Sequence, residues 1–307
     1  MIKRLTAAAA VLVAGGGAVF WFLTAPQTIG AATLPSGDAT RGERVFWAGG
    51  CASCHAAHGA EGEARLQLAG GVELATEFGT FVAPNISPHP TDGIGNWSER
   101  AFANAMLHGV SPEGEHYYPA FPYASYARMA PQDVTDLFAF LKTLPEVEGK
   151  APENRLSFPF TVRRGIGLWK LLYMREEPVV ALAPEASEEV KRGQYLVEGA
   201  GHCGECHTPR DFAGGPRYGD WLAGAAAAEG NGIVPNITPG EGSIGSWSAS
   251  DIAYYLESGF TPDFDSVGGS MASVQKNMSM LPKEDRDAIA AYLKAVPARP
   301  NGYPSNR

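Results

Sequence analysis

Cysteine is scarce in this chain: there are four in 307 residues. They fall into two pairs, Cys51-Ala52-Ser53-Cys54 and Cys203-Gly204-Glu205-Cys206, with none left over. A disulfide framework can therefore exist only if neither pair is committed to a cofactor. Basic charge is also short. Lys and Arg number 24 against 33 Asp and Glu, a formal charge of −9. Nucleic-acid binding needs clustered cations to neutralise phosphates, so it is excluded. The same balance disfavours peripheral attachment to anionic lipid and suits docking to a basic patch on another protein. No low-complexity tract is present; Gly and Pro are plentiful but spread out, which implies loop-rich domains rather than disorder.

The N-terminus lacks charge for a long stretch. After Met1-Ile2-Lys3-Arg4, nothing ionisable appears from Leu5 to Leu23, and the run ends in Phe20-Trp21-Phe22. Two cations before an apolar run mark an export signal. This run approaches the length of about 20 residues that a bilayer span needs and carries interfacial aromatics. Residues 1–24 therefore read as an uncleaved anchor, its basic end cytoplasmic and the bulk of the chain in the periplasm. Small residues at Gly30-Ala31-Ala32 keep open the alternative of cleavage to a soluble periplasmic protein.

Beyond the anchor, the chain repeats itself at a spacing of about 150 residues. Arg41-Gly42-Glu43 matches Arg192-Gly193-Gln194, and Pro84-Asn85-Ile86-Ser87-Pro88 matches Pro235-Asn236-Ile237-Thr238-Pro239. Ile94-Gly95-Asn96-Trp97-Ser98 matches Ile244-Gly245-Ser246-Trp247-Ser248, and Gly109 pairs with Gly259. So many matches in one order make a tandem duplication: domain 1 over 38–147, a linker over 148–185 and domain 2 over 186–300. Ser98 and Ser248 read as helix N-caps, with Asp251 completing a capping box, and Gly109 and Gly259 read as helix stops. Final helices are predicted near Pro131–Leu144 and Pro282–Val296, where Leu137, Phe140 and Leu141, like Ile289, Tyr292 and Leu293, recur at helical spacing. The fold class is all-α, two small helical domains with long ordered loops. The linker, with Arg163-Arg164-Gly165 and Trp169, reads as a short helix packed on both domains or as a docking surface; it is too short and too charged to span a bilayer.

Each cysteine pair is followed by a histidine, giving Cys51-x-x-Cys54-His55 and Cys203-x-x-Cys206-His207. Two cysteines three apart lie on one side of a helical turn, where both sulfurs reach the vinyl groups of one porphyrin. The next histidine then takes an axial site on iron. A zinc knuckle or redox dithiol is the rival, but two such motifs in a duplicated, exported chain without other cysteines favour two covalently bound haem c groups. In the second copy the remaining histidine, His202, abuts Cys203 and cannot reach the opposite face. The distal ligand there comes from Met271, Met278 or Met280, or the site is open. Met271 is preferred because Val267-Gly268-Gly269-Ser270 ahead of it reads as a flexible loop; Met278 and Met280 read as core filler. In the first copy Met106 reads as core, and Met129, just ahead of the final helix, is preferred over His58, His89, His108 and His116. His/Met ligation saturates both irons and favours electron carriage over catalysis.

With both haem motifs, the Pro-Asn-Ile-Ser/Thr-Pro segments, Gly93-Ile94-Gly95-Asn96-Trp97-Ser98, Gly109-Val110-Ser111-Pro112-Glu113-Gly114 and Tyr118-Pro119-Ala120-Phe121-Pro122-Tyr123, the chain resembles a family. It is similar to the class I dihaem and trihaem cytochromes c that serve periplasmic dehydrogenases, such as the cytochrome subunits of membrane-bound alcohol and gluconate dehydrogenases. The resemblance runs from about Asp38 to Pro297, and it implies further roles. Pro84 and Pro235 would offer carbonyls to the proximal imidazoles. Asn85, Asn236, Trp97 and Trp247 would contact haem propionates or edges, with core packing the alternative for both tryptophans. Gly42 and Gly193 would let the last helices cross closely, opposite Phe140 and Tyr292. One departure stands out: several relatives have methionine where this chain has Phe121, so Met129 would have to replace it. Relatives also often carry a third haem.

The leading expectation is a membrane-anchored dihaem carrier between a periplasmic dehydrogenase and a terminal oxidase or soluble cytochrome. A fixed electron-transfer subunit of a dehydrogenase complex shares all of this chemistry. A dihaem peroxidase or thiosulfate-oxidising enzyme is the enzymatic alternative, disfavoured because no cysteine is spare for a distal site.

Overall fold

The computed structural model describes residues 2–30, 33–228, 232–240 and 243–303, and within the first helix the side chains of Thr6, Leu12 and residues 14–23. The expected cleavage site at Ala31-Ala32 and the side chains of Lys3 and Arg4 lie outside the described residues. The first helix, α1, covers Ile2–Leu23, and its described side chains Val19, Phe20, Trp21, Phe22 and Leu23 are all exposed. Among the described residues no helix is long and apolar enough to cross a membrane.

Domain 1 is built on α2 (Ala39–Ala48), α3 (Cys51–His55), α4 (Glu99–His108), α5 (Tyr123–Tyr126) and α6 (Pro131–Leu141). Asp38 caps α2 by accepting from the Arg41 amide, and Pro131 opens α6 at a position where its missing N–H costs nothing. Ser98 caps α4 through the Ala101 amide, and Gly109 ends it in the left-handed region at φ 59°. Helices α2 and α6 cross at Gly42, where a β-carbon would lie 1.9 Å from the Asp136 carbonyl oxygen and 2.8 Å from the Phe140 β-carbon. Only glycine permits that approach.

Past α7 (Gly165–Tyr173) the plan recurs in α8 (Glu188–Glu198), α9 (Gly204–His207), α10 (Ala249–Ser258), α11 (Met271–Met278) and α12 (Lys283–Ala295). Ser248 and Asp251 form a capping box at α10, and Gly259 ends it at φ 78°. At the α8–α12 crossing a β-carbon on Gly193 would sit 1.9 Å from the Ala288 carbonyl oxygen and 2.7 Å from the Tyr292 β-carbon. Phe46, Leu137 and Leu141 in domain 1, and Leu196, Ile289 and Tyr292 in domain 2, belong to one continuous buried cluster.

The all-α expectation needs correction, because two small antiparallel sheets interrupt the loops. β1 (Glu73–Thr76) and β2 (Gly79–Val82) form a hairpin, and β3 (Arg155–Leu156) from the linker pairs with Gly79 and Thr80 of β2. β4 (Ala225–Ala226) pairs with β5 (Ile233–Val234). The linker is thus woven into domain 1. Its helix α7 reaches both domains: Lys170 Nζ donates to the His108 and Gly109 carbonyls at 2.6 and 2.7 Å, while Trp169 Nε1 donates to Ala213 O at 3.2 Å.

Candidate haem-attachment sites

Both cysteine pairs sit on short helices entered through a tight turn. Gly50 precedes α3 at φ 58°, and its counterpart before α9, His202, adopts φ 36°. In α3 the motif residues Cys51, Cys54 and His55 occupy a single helical stretch, which sets the two sulfurs on one side of a turn. Neither Cys51 nor Cys203 is in a disulfide, so none closes within either pair.

The histidines are held in the same way in both copies. His55 Nδ1 donates to the Pro84 carbonyl oxygen at 2.8 Å, and His207 Nδ1 donates to the Pro235 carbonyl oxygen at 2.7 Å. A carbonyl can only accept, so the bond fixes the tautomer and leaves each Nε2 with a free lone pair. Burial lowers the pKa of both imidazoles and the proline carbonyls pull weakly the other way, so each ring is a neutral, oriented base at pH 7. Burial, reinforced by the neighbouring cysteine, pushes the Cys51 and Cys203 thiols up to about 12. A reactive redox dithiol needs a depressed thiol, which neither pair has. Among the described residues no three of His, Cys, Asp and Glu converge as a metal cluster requires. The donor set fits thioether attachment of a porphyrin with one imidazole ligand, twice over.

Both asparagines are tied into loop hydrogen bonds. Asn85 Nδ2 donates to the carbonyls of Val147 and Gly149, both at 2.8 Å, and its Oδ1 accepts from the Ser87 amide at 2.9 Å. Asn236 does the same in copy two, donating to Arg299 O and Asn301 Oδ1 and accepting from the Thr238 amide. Each carboxamide ties the loop carrying the proximal proline to the chain leaving the domain's last helix. Trp97 and Trp247 are half-buried against the core, Trp247 edge-on to Tyr255 at 5.6 Å.

Met129 is buried, its γ-carbon 3.6 Å from where a β-carbon on Gly199 would lie. Met271 is not on a flexible loop: it is the first residue of α11, packed against the core. Met106 and Met278 are buried core residues, and Met280 is half exposed. The turn after α4 and the turn after α10 share one pattern, with Tyr117 N bonded to Gly109 O and Val267 N bonded to Gly259 O. That register pairs Phe121 with Met271. Copy one therefore has no methionine at the place of Met271. Of the competing histidines, His116 is buried with Nε2 donating to Thr24 O at 2.9 Å.

Sequence reasoning missed how the copies interlock. His202 Nε2 donates to Gly49 O at 3.1 Å, and its ring lies edge-on to Tyr126 at 5.7 Å. Ser125 Oγ donates to Glu205 at 2.7 Å, and Asn277 Nδ2 donates to Ser53 Oγ at 2.7 Å. Each attachment motif thus packs on the other domain's α5 or α11. One signal was available: where copy one has Gly50, the repeat has a histidine.

The model for the family described as Cytochrome c matches residues 39–145. The chain is 55% identical over 302 residues to a protein of Cereibacter sphaeroides named "Diheme cytochrome c-type", covering 97% of this chain and 99% of that one. It is 37% identical over 262 residues to the "Fructose dehydrogenase cytochrome subunit" of Gluconobacter japonicus, and 36% identical over 286 residues to the "Alcohol dehydrogenase (quinone), cytochrome c subunit" of Komagataeibacter europaeus. Those matches cover 85% and 88% of this chain but only 53% and 58% of the subunits.

Proposed function

Because this chain belongs to the dihaem cytochrome c family, we propose that it takes electrons from a periplasmic dehydrogenase and passes them to a terminal oxidase or soluble cytochrome. It is an electron-transfer protein with covalently bound haem c. The observation that carries the proposal is the repeated arrangement of a cysteine pair followed by a histidine whose Nδ1 is tied to a proline carbonyl. Cys51 and Cys54 would hold one haem and Cys203 and Cys206 the other, with His55, His207, Met129 and Met271 as the side chains that would bind iron. The haem supplies reversible one-electron storage at iron. The protein's part is to fix both imidazoles, exclude water and bring the two attachment segments together.

Membrane anchoring through α1 has a physical argument of its own. Thr24 is 1% exposed, its carbonyl accepts from His116 and its hydroxyl from Arg164, while the Ile29 amide donates to Asn104 Oδ1 at 2.7 Å. Removal of a leader at Ala32 would strip these partners from domain 1 and leave buried polar groups unpaired. Retention of the segment keeps the apolar helix attached to it.

A fixed-subunit reading draws on the dehydrogenase subunits, which match this chain along most of its length. A pyridine haemochrome assay should count two haems per chain. The oxidised protein should show the methionine–iron band near 695 nm at a strength corresponding to both irons. One haem per chain overturns the dihaem carrier, and a high-spin or bis-histidine spectrum at either iron overturns the matching methionine. Purification from membranes with a stoichiometric dehydrogenase selects the fixed subunit over the shuttle.

A further inference from the structure

The turn after α4 and the turn after α10 are built alike in the two repeats. Ser111 N donates to Glu115 O and Thr261 N donates to Asp265 O, each at 2.8 Å. The isolated bridge between Val110 and His116 recurs between Phe260 and Ser266. This register sets Gly114 against Phe264 and Glu115 against Asp265. Their surroundings differ.

In the first repeat the linker covers the turn. Arg163 lies over the Tyr118 ring at 5.0 Å, approaches Glu115 at 3.6 Å and donates from Nη1 to His116 O at 3.1 Å. The Tyr118 hydroxyl donates to Phe160 O at 2.8 Å, which holds the linker down beside the arginine. Among the described residues the second turn has no such cover. A β-carbon on Gly268 or Gly269 would meet nothing within 4 Å, and Asp263 and Asp265 are exposed. The next cations along the chain are engaged elsewhere, Lys276 with Glu61 and Arg286 with Glu257, both at 3.0 Å. The second turn stays bare and acidic.

Its backbone is also strained. Gly114 turns at φ 81°, a conformation glycine adopts freely, whereas Phe264 makes the same turn at φ 64°. A bulky residue there is a genuine outlier. Two other non-glycine residues share that region among the described ones, and both are held by their surroundings. Leu222 is wholly buried, and His202 donates across the domain boundary to Gly49 O. The Phe264 side chain instead stands 86% exposed, with Phe260 beside it 46% exposed. Strain kept at an exposed aromatic points to a use outside the chain.

We infer that the 260–266 turn seats a one-electron partner protein, one that presents Lys or Arg side chains around an apolar patch. The first repeat shows the matching chemistry within the chain, an arginine placed on a carboxylate and an aromatic ring of the equivalent turn. Phe264 is the apolar contact, and Asp263 and Asp265 are its acidic rim. The turn leads into Met271, so a partner seated there meets the repeat that would hold the second haem. This inference rests on the electron-carrier reading and adds the place where the partner docks. In each encounter one electron passes between the two proteins, and no bond forms or breaks.

The test is stopped-flow oxidation of the reduced, full-length holoprotein by a small lysine-rich cytochrome c. Ferricyanide serves as an oxidant too small to need a docking surface. Phe264→Gly gives the turn the residue that the first repeat uses, so fold and haem content should be kept. It should slow the reaction with the lysine-rich cytochrome about tenfold and leave the ferricyanide rate unchanged. Asp263→Asn with Asp265→Asn should slow it too and flatten its dependence on salt. Glu146→Gln with Glu148→Gln, exposed carboxylates of domain 1, should do neither. A Phe264→Gly rate equal to the parent's overturns the docking turn and leaves the carrier standing. A reduced parent that ferricyanide cannot oxidise overturns the carrier and the turn with it. A parent that ferricyanide oxidises but the lysine-rich cytochrome does not overturns the basic partner. A dimer in sedimentation that Phe264→Gly dissolves assigns the turn to a second copy of the chain and overturns the partner protein.

Discussion

Arg44 in the first repeat and Asp285 in the second are joined across the domain boundary, the guanidinium Nε donating to the carboxylate. Arg192 Nε completes the clamp from within domain 2 at 2.9 Å, and the Asp285 side chain is 1% exposed. Burial alone would raise the Asp285 pKa, but the bonds from Arg44 and Arg192 outweigh it and hold the carboxyl below its usual range. A depressed carboxyl stabilises the fold above the unfolded value of about 4 and loses that contribution as pH falls through the folded value. Asp285→Asn should cost about 2–3 kcal/mol at pH 7, less than for a fully buried pair because both arginines are partly solvated. Denaturant titrations at pH 7 and pH 3 should show the variant losing less stability on acidification than the parent. A parallel loss at both pH values would remove Asp285 as the source.

Gly42 and Gly193 allow a second test of the duplicated architecture. A methyl group at either position would overlap a backbone carbonyl at 1.9 Å. Carbonyls in a helix cannot move aside as a flexible side chain can, so the helices must separate. Gly42→Ala and Gly193→Ala should each cost about 3 kcal/mol or more and lower the yield of haem-loaded protein. Thermal melts together with the haem-to-protein ratio check this. Gly165→Ala in α7, where no atom lies within 4 Å of the added carbon and the backbone is not left-handed, controls for the loss of glycine itself.

These two glycines, the motif helices and the helix caps were legible because each depends on a local rule that one stretch of sequence expresses. Ser98 and Ser248 needed only the amides of Ala101 and Asp251, three residues on, and the His–Pro carbonyl bonds followed from the resemblance. The rest depended on partners far along the chain. β3 is two residues long and becomes a strand only because Gly79 and Thr80 offer a free edge. Nothing in the neighbourhood of Asn85 announces that the Val147 and Gly149 carbonyls return to it. Met271 was placed on a loop by its Gly-Gly-Ser approach, whereas packing against domain 1 carries the helix back to that residue. The Arg44–Asp285 pair spans most of the chain, and no periodicity reports such contacts.

Lys170 predicts an alkaline response. Its ammonium is pushed down to about 7 by burial, while the carbonyls that end α4 and the Tyr123 ring at 4.6 Å favour the charge. His108, His116 and Glu176 share its cavity. A lysine lowered in the folded state binds fewer protons there than in the unfolded chain between pH 7 and the ordinary value of about 10.4. Stability therefore rises with pH across that window. Between pH 7 and 9 the gain should reach about 2 kcal/mol, and Lys170→Met should flatten the rise. A parent curve without slope there would mean that the carbonyls hold the charge fully.

The final prediction separates the two distal methionines. Phe121 and Met271 occupy the same place in the two repeats, and Phe121 is surrounded by the rings of Tyr117, Tyr123 and Tyr126. An aromatic cage cannot donate a thioether, so in the ligation proposed above the first haem draws on Met129 from a different position. Met271→Ala should remove about half of the absorbance near 695 nm, open one iron to carbon monoxide and lower one of the two midpoint potentials. Met129→Ala should do the same at the other iron. Phe121→Met places a thioether where the second repeat has its own, so in the Met129→Ala background it should restore the band. Rescue would establish that the repeats share one distal geometry, with the first copy having moved its ligand. A Met129→Ala protein with both bands intact would instead show that the first iron never used that sulfur.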